Sequence, residues 1–188
     1  MVFIPTRDHY YDMTPTEFEK YSLEILQQQV HGLEKLEFKH NEVIKADDGS
    51  YQIDGVIRFE VMGVQYVSLV ECKHYKNPIT REKVQALHSK ILSIGAHKGI
   101  LISTSNFQSG AIEYAGKHGI ALIQITEAAT KYEMRGQLNV IQAHSCEFNY
   151  GLPYIGIMQE QSPGDIGISC HHLRRDCDDL KEFLKKTN

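Results

Sequence analysis

Two neighbouring segments of this chain carry the residue pattern of paired β-strands. Residues 51–61 alternate apolar and polar side chains, and residues 66–73 are a β-prone apolar run that ends in Glu71-Cys72-Lys73. Such patterns are typical of strands with a buried face. The intervening residues 62–65 are few enough for a tight turn, which predicts an antiparallel hairpin. A β-sheet is therefore expected at the centre of the fold.

This hairpin is expected to bring two acids and an amine together. Side chains alternate along a strand, so Glu71 and Lys73 share one face, whereas Cys72 faces the opposite side and is interpreted as a core residue. Asp54 lies on the more polar face of the preceding strand. Antiparallel pairing lets the carboxylates of Asp54 and Glu71 converge beside the ammonium group of Lys73.

Two carboxylates beside a lysine suit the chemistry of a divalent cation. Mg²⁺ takes few carboxylate ligands and completes its coordination with water and substrate phosphate. A cation held in this way polarises a phosphodiester and lowers the pKa of bound water, and a lysine can offset charge in the transition state. Hydrolysis of a nucleic-acid backbone fits. On its own, however, Glu-x-Lys is more typical of an ordinary ion pair at a strand end.

The surrounding sequence predicts a mixed α/β fold. Thr14-Pro15-Thr16-Glu17 combines an N-cap, a helix-starting proline and a capping-box acid, and Gly32 ends that helix. The further predicted elements are a strand at 36–44, the hairpin, a helix at 80–94, a strand at 99–104, a helix opened by a second capping box at 105–108, and a strand at 120–125. A strand–helix–strand passage favours parallel pairing, so we expect a mixed central sheet flanked by helices.

With these elements in this order, residues 14–125 resemble the catalytic domain of Mrr-type restriction endonucleases, within the PD-(D/E)xK nuclease superfamily. The matching segments are Glu17-Phe18-Glu19, Ile53-Asp54-Gly55, Glu71-Cys72-Lys73-His74-Tyr75, Val84-Gln85-Ala86-Leu87 and the run 99–107. The resemblance implies a restriction-endonuclease-like sheet flanked by helices, here with a small C-terminal extension.

The resemblance also implies roles for five residues. Asp54 and Glu71 would be the metal ligands, Lys73 the catalytic lysine, Gln85 an accessory polar residue and Glu19 a supporting acid. The family often carries glutamine where Glu71 stands, and the acid found here favours metal binding. Two of the five also fit plainer interpretations. The helix dipole stabilises an acid such as Glu19 near a helix start, and Gln85 fits a solvated flank of its helix.

The activity implied by the resemblance is a DNA endonuclease that uses Mg²⁺, with Mn²⁺ as a substitute, in restriction or defence against foreign DNA. Two alternatives stay open. One is a structure-selective resolvase or repair nuclease, because the same core occurs in such enzymes. The other is a non-catalytic subunit of a larger complex. The intact set of two acids and a lysine argues against the latter, because like charges are costly to keep together.

Overall charge does not mark the chain as a nucleic-acid-binding protein, since 20 Lys and Arg stand against 24 Asp and Glu. DNA affinity needs local rather than global neutralisation of phosphates. Six basic residues lie in sequence around the proposed site: Lys73, Lys76, Arg81, Lys83, Lys90 and Lys98. They are candidates for DNA contact, although an ordinary charged helix surface explains them equally well.

We predict a nuclease domain over residues 1–135 and a C-terminal extension over 136–188, with strands at 138–143 and 154–158 and a helix at 176–186. The extension could be a packed subdomain, a homodimer contact or a docking surface for a partner protein that supplies targeting. The sequence has no long apolar segment, and its four cysteines come without a secretory leader. A cytoplasmic location without membrane insertion is therefore expected.

Overall fold

The computed structural model describes residues 13–30, 32–127, 154–161, 167–173 and 178–186. Within these ranges the helices are α1 (Pro15–Gln29), α2 (Arg81–Ile94), α3 (Ser109–Lys117) and α4 (Asp179–Lys185). The strands are β1 (Glu34–Ala46), β2 (Gly49–Val61), β3 (Val64–Lys73), β4 (Lys98–Ser103), β5 (Ile120–Glu127), β6 (Tyr154–Glu160) and β7 (Ser169–His172). The described strands form one sheet in sequence order, with helices on both faces. The predicted mixed α/β architecture is confirmed.

Strand directions follow the predicted pattern. β1 and β3 are each antiparallel to β2, β4 and β5 run parallel to β3, and β6 and β7 are each antiparallel to the preceding strand. The β2–β3 hairpin turns through Met62 and Gly63, both at positive φ, 52° and 80°. Positive φ at both central residues is the geometry of a type I′ turn, whose twist matches that of the paired strands.

Local signals account for the ends of two helices. The side chains and backbone of Thr14 and Glu17 form the predicted capping box at the start of α1, with Pro15 in its first turn. Gly95 ends α2 in the left-handed conformation, at φ 71°, and its backbone N–H satisfies carbonyl groups of the last turn.

The second predicted capping box, at 105–108, is wrong. α3 begins at Ser109, and Gln108 at its N-cap makes no capping hydrogen bond through its side chain. The Ser105 hydroxyl instead donates a hydrogen bond to the carbonyl oxygen of Asn77, at 2.6 Å. The residue expected to cap the helix therefore ties down the loop between β3 and α2.

The sheet separates two hydrophobic cores. Successive residues of β3 and β4 alternate between them, as the strand period requires. The core on the α1 and α4 side includes Phe18, Leu26, Phe59, Val70, Ile100, Ile102, Leu180 and Leu184. The core on the α2 and α3 side includes Ile53, Leu69, Val84, Leu87, Leu101, Ile112 and Leu122.

Part of the predicted C-terminal extension lies in the same sheet and core. The strand expected at 154–158 is confirmed as β6, and the helix expected at 176–186 is confirmed over Asp179–Lys185. The strand expected at 138–143 lies outside the described residues, and the boundary at residue 135 stays a prediction. No helix in the described ranges is long and apolar enough to cross a membrane.

Gly55 should be intolerant of a side chain. A Cβ atom there would lie 2.5 Å from Leu23 Cδ2 and 3.1 Å from Val70 Cβ. We expect Gly55→Ala to lower the free energy of unfolding by about 1–3 kcal/mol, because overpacking displaces neighbours in a dense core. Urea denaturation measures this. Gly49→Ala, in the same strand but with no atom within 4 Å of the new Cβ, is the matched control, and equal stability of the two variants would contradict the prediction.

Candidate active site

The side chain of Asp54 links β2 to β3 by a hydrogen bond, just beyond the point where the backbone pairing of the two strands ends. The pairing extends as far as Gly55 opposite Val70. One residue beyond, Asp54 Oδ2 accepts a hydrogen bond from the backbone N–H of Cys72, at 2.7 Å. A side-chain carboxylate thus takes the place of a strand carbonyl, and Glu71 and Lys73, which flank Cys72, lie within electrostatic range of it.

Glu71 is bound by two ammonium groups. Its Oε1 atom lies 2.5 Å from Lys73 Nζ and its Oε2 atom lies 2.8 Å from Lys90 Nζ. The Glu71 side chain is only 12% exposed. Burial on its own raises the pKa of Glu71, but the hydrogen bonds and charges of the two lysines outweigh burial and leave the pKa below its ordinary value. Glu71 is therefore an ionised carboxylate.

Lys73 is a cation in this arrangement. Burial opposes its charge, but the hydrogen bond and charge of Glu71, with a contribution from Asp54, raise the pKa of Lys73 above its ordinary value. An ammonium group that holds its proton cannot accept another. The side chain is suited to neutralising negative charge and to donating hydrogen bonds.

The negative charge of Asp54 is neutralised less fully than that of Glu71. Burial, followed by repulsion from Glu71 and Glu19, raises the pKa of Asp54 against the opposing effects of the Cys72 N–H and of Lys73. Among the described contacts, its Oδ1 atom accepts no hydrogen bond. Asp54 also lines a surface cavity together with Pro15, Phe18, Glu19, Cys72, Lys73, His74 and Tyr75. The site therefore has an acidic oxygen without a full counter-charge beside a solvent-accessible space.

Glu19 lies at this cavity and is paired with a histidine that the sequence analysis missed. His40 Nε2 is 2.8 Å from Glu19 Oε2, and both side chains are partly buried. In the β1–β2 register, His40 lies opposite Gly55, the residue that follows Asp54. The strand period could have indicated this position. His40 is two residues after Phe38, so it is expected on the same face of β1, and Phe38 packs against the α1-side core.

Gln85 and Lys90 both lie on α2 but differ in their contacts with the acid pair. Gln85 is exposed, and within the described residues its side chain makes no hydrogen bond to either acid. Lys90, expected only as part of a basic surface, reaches Glu71 from α2. The helical period could have indicated that Lys90 lies near the sheet, because Lys90 borders the buried stripe that contains Leu87 and Ile91.

The expected basic surface is smaller than the sequence indicated. Lys98 is only 5% exposed and its ammonium group lies 5.1 Å from the centre of the Phe183 ring. Burial lowers the pKa of Lys98. Its assignment to a DNA-facing patch is therefore wrong, because the first residue of β4 points into the fold. Lys76, Arg81 and Lys83 are exposed.

Cys72 is buried in the α1-side core, as predicted.

The described residues contain no group of three His, Cys, Asp or Glu side chains arranged to hold a metal ion. Asp54 and Glu71 nevertheless offer hard oxygen donors, and Asp54 has an oxygen without a described partner. Mg²⁺ commonly takes only one or two carboxylates and fills its other positions with water and phosphate oxygens. The donor set therefore fits such an ion.

The sequence matches one family model and one curated relative. The restriction endonuclease family model named for the Mrr catalytic domain matches residues 10–130. The type IV methyl-directed restriction enzyme EcoKMrr of Escherichia coli strain K12 is 30% identical over 103 residues, which are 55% of this chain and 32% of that enzyme. The chain thus spans about a third of the length of this curated relative.

Two solved structures are similar to parts of the chain. AF1548, a protein of unknown function, gives a TM-score of 0.46 at 21% identity, over 55% of this chain and 54% of that one. The DNA modification-dependent restriction endonuclease AspBHI gives 0.43 at 17% identity, over 65% of this chain and 36% of that one. Since the family model covers more than half of the sequence, the chain belongs to the restriction endonuclease family defined by the Mrr catalytic domain.

Proposed function

We propose that this chain is an Mg²⁺-dependent endonuclease that hydrolyses phosphodiester bonds of DNA and serves restriction or defence against foreign DNA. Membership of the restriction endonuclease family supports nuclease activity. The observation that carries the proposal is the convergence of Asp54, Glu71 and Lys73 at the point where β2 and β3 separate. Such a site combines a hard-cation ligand pair with a protonated lysine.

In this proposal Asp54 and Glu71 hold the metal ion, and Mn²⁺ can replace Mg²⁺. The raised pKa of Asp54, caused mainly by burial and then by the nearby acids Glu71 and Glu19, supports the assignment, because a divalent cation would relieve that repulsion. The bound ion would polarise the phosphodiester and lower the pKa of a water molecule. Glu19 would add negative charge at the same cavity, held in place by His40.

Lys73 has the protonation state that the proposed reaction needs. Its ammonium group would leave Glu71 Oε1 and donate hydrogen bonds to a phosphate oxygen or to the attacking water. A preorganised cation at the position where negative charge develops lowers the barrier of the chemical step. Gln85 is assigned no contact with the reacting groups here, and its expected accessory role stays a prediction. A homodimer and a targeting partner also stay predictions.

The substrate proposal is DNA, and its modification state is a matter for experiment. The relative EcoKMrr is described as methyl-directed and AspBHI as modification-dependent. Methylated and unmethylated plasmids with branched and linear duplexes would therefore form the substrate panel. Preference for a branched duplex would favour the structure-selective alternative.

Cleavage should require both Asp54 and Lys73. With supercoiled plasmid and Mg²⁺ or Mn²⁺, we expect Asp54→Ala and Lys73→Ala each to reduce nicking and linearisation by about 100-fold or more, because each removes charge that acts in the transition state. Gel analysis of a time course gives the rates. Asp47→Ala and Lys45→Ala, exposed in and beside the β1–β2 turn, are the matched controls. Wild-type activity in either site variant would remove that residue from the mechanism.

Metal binding should depend on Asp54 without DNA or turnover. We expect Mn²⁺ titrations followed by electron paramagnetic resonance to show binding to the wild-type protein and a loss of about 10-fold or more in affinity for Asp54→Asn. The same loss in Asp47→Asn would indicate nonspecific binding to surface acids. A wild-type protein that bound no Mn²⁺, alone or with DNA, would favour the non-catalytic alternative.

Asp54 should destabilise the metal-free protein at neutral pH. Burial, then repulsion from Glu71 and Glu19, raises its pKa above the ordinary 3.8. The stabilising contribution of the neutral form is therefore complete below pH 3.8 and is lost as pH rises through the folded-state pKa. Urea denaturation in EDTA should show Asp54→Asn to be more stable than wild type at pH 7, by a margin that shrinks in acid. A constant or inverted margin would contradict this prediction.

A further inference from the structure

We infer that Lys90 is a positioning residue that holds Glu71 in the orientation needed for metal binding; this inference rests on the proposed function. The two lysines that bind Glu71 come from different elements. Lys73 belongs to β3 and lines the cavity with Asp54, whereas Lys90 projects from α2, on the opposite face of the sheet from α1. Each lysine binds a different oxygen of the same carboxylate.

This division gives the two oxygens of Glu71 different roles. Lys73, which binds Oε1, lines the cavity together with Asp54, whereas Lys90, which binds Oε2, belongs to α2. If Asp54 and Glu71 held a cation, Lys73 could leave Glu71 and turn to the substrate, since it already lines the cavity. Lys90 would keep Oε2, since that oxygen faces α2. Glu71 would then stay anchored while the cavity side of the site changes partners.

Lys90 is well placed to provide such an anchor. It follows the buried Leu87 and precedes the buried Ile91 on a helix that packs against the sheet. Its own side chain is 25% exposed and its ammonium group lies 2.8 Å from Glu71 Oε2. Without this contact, Lys73 would be the remaining described hydrogen-bond partner of the Glu71 carboxylate, and the proposed reaction needs Lys73 elsewhere. Partners that orient a metal ligand commonly contribute 10–100-fold to affinity, as an order of magnitude.

Removal of Lys90 should change metal affinity in the direction opposite to that expected from charge repulsion alone. Removing a cation near a metal site should strengthen metal binding by relieving repulsion, whereas removing the anchor of a ligand should weaken it. We expect Lys90→Met to lower Mn²⁺ affinity about 10-fold and Lys90→Arg to restore most of it, because arginine keeps the charge and a donor. Lys83→Met removes an exposed lysine from the same helix and is the matched control.

The test is Mn²⁺ titration by electron paramagnetic resonance, without DNA, on wild type, Lys90→Met, Lys90→Arg and Lys83→Met, with circular dichroism to verify folding. In a Glu71→Gln background, Lys90→Met should cause no further loss, because Lys90 acts through the Glu71 carboxylate. Unchanged or tighter binding by Lys90→Met, or an equal loss in the Glu71→Gln background, would overturn the inference alone. If wild type and all variants bind no Mn²⁺, the metal proposal fails and takes this inference with it.

Discussion

The candidate site depends on one hydrogen bond, from the backbone N–H of Cys72 to Asp54 Oδ2. It forms where β2 and β3 stop pairing, so it replaces a strand contact with a side-chain contact, beside the surface cavity that Asp54 lines. The buried side chain of Cys72 fixes this part of β3 in the core, and strand alternation then turns Glu71 and Lys73 to the other face. The position of the acid pair is therefore set by the sheet itself.

Positive and negative charges are unevenly matched within the candidate site. The three acids Glu19, Asp54 and Glu71 face the two lysines Lys73 and Lys90, and His40 contacts Glu19. Both lysines bind Glu71, so the shortage of positive charge falls on Asp54, whose pKa is raised by burial and then by the neighbouring acids. The same imbalance that costs stability is what a divalent cation would correct.

Short-range pattern predicted most of the fold and the central part of the site. The strand period placed Glu71 beside Lys73, and capping residues placed the start of α1, because both signals act within a few residues. Longer-range competition defeated the capping box at 105–108, since the Ser105 hydroxyl bonds to Asn77 instead. The Lys90–Glu71 and His40–Glu19 pairs join residues 19 and 21 positions apart, and only the packing of α2 and α1 on the sheet brings them together.

The acid at position 71 accounts for the second lysine. Mrr-type nucleases often carry glutamine there, which needs no counter-charge when buried, whereas a carboxylate at 12% exposure does. Lys73 alone could neutralise Glu71, but a lysine committed to that pair would be unavailable to a phosphate. With Lys90 on Oε2, Glu71 would keep one ammonium partner if Lys73 moved to a substrate phosphate. If Glu71 holds a metal ion and Lys73 turns to the substrate, as proposed, the two roles would be compatible because α2 supplies a second cation.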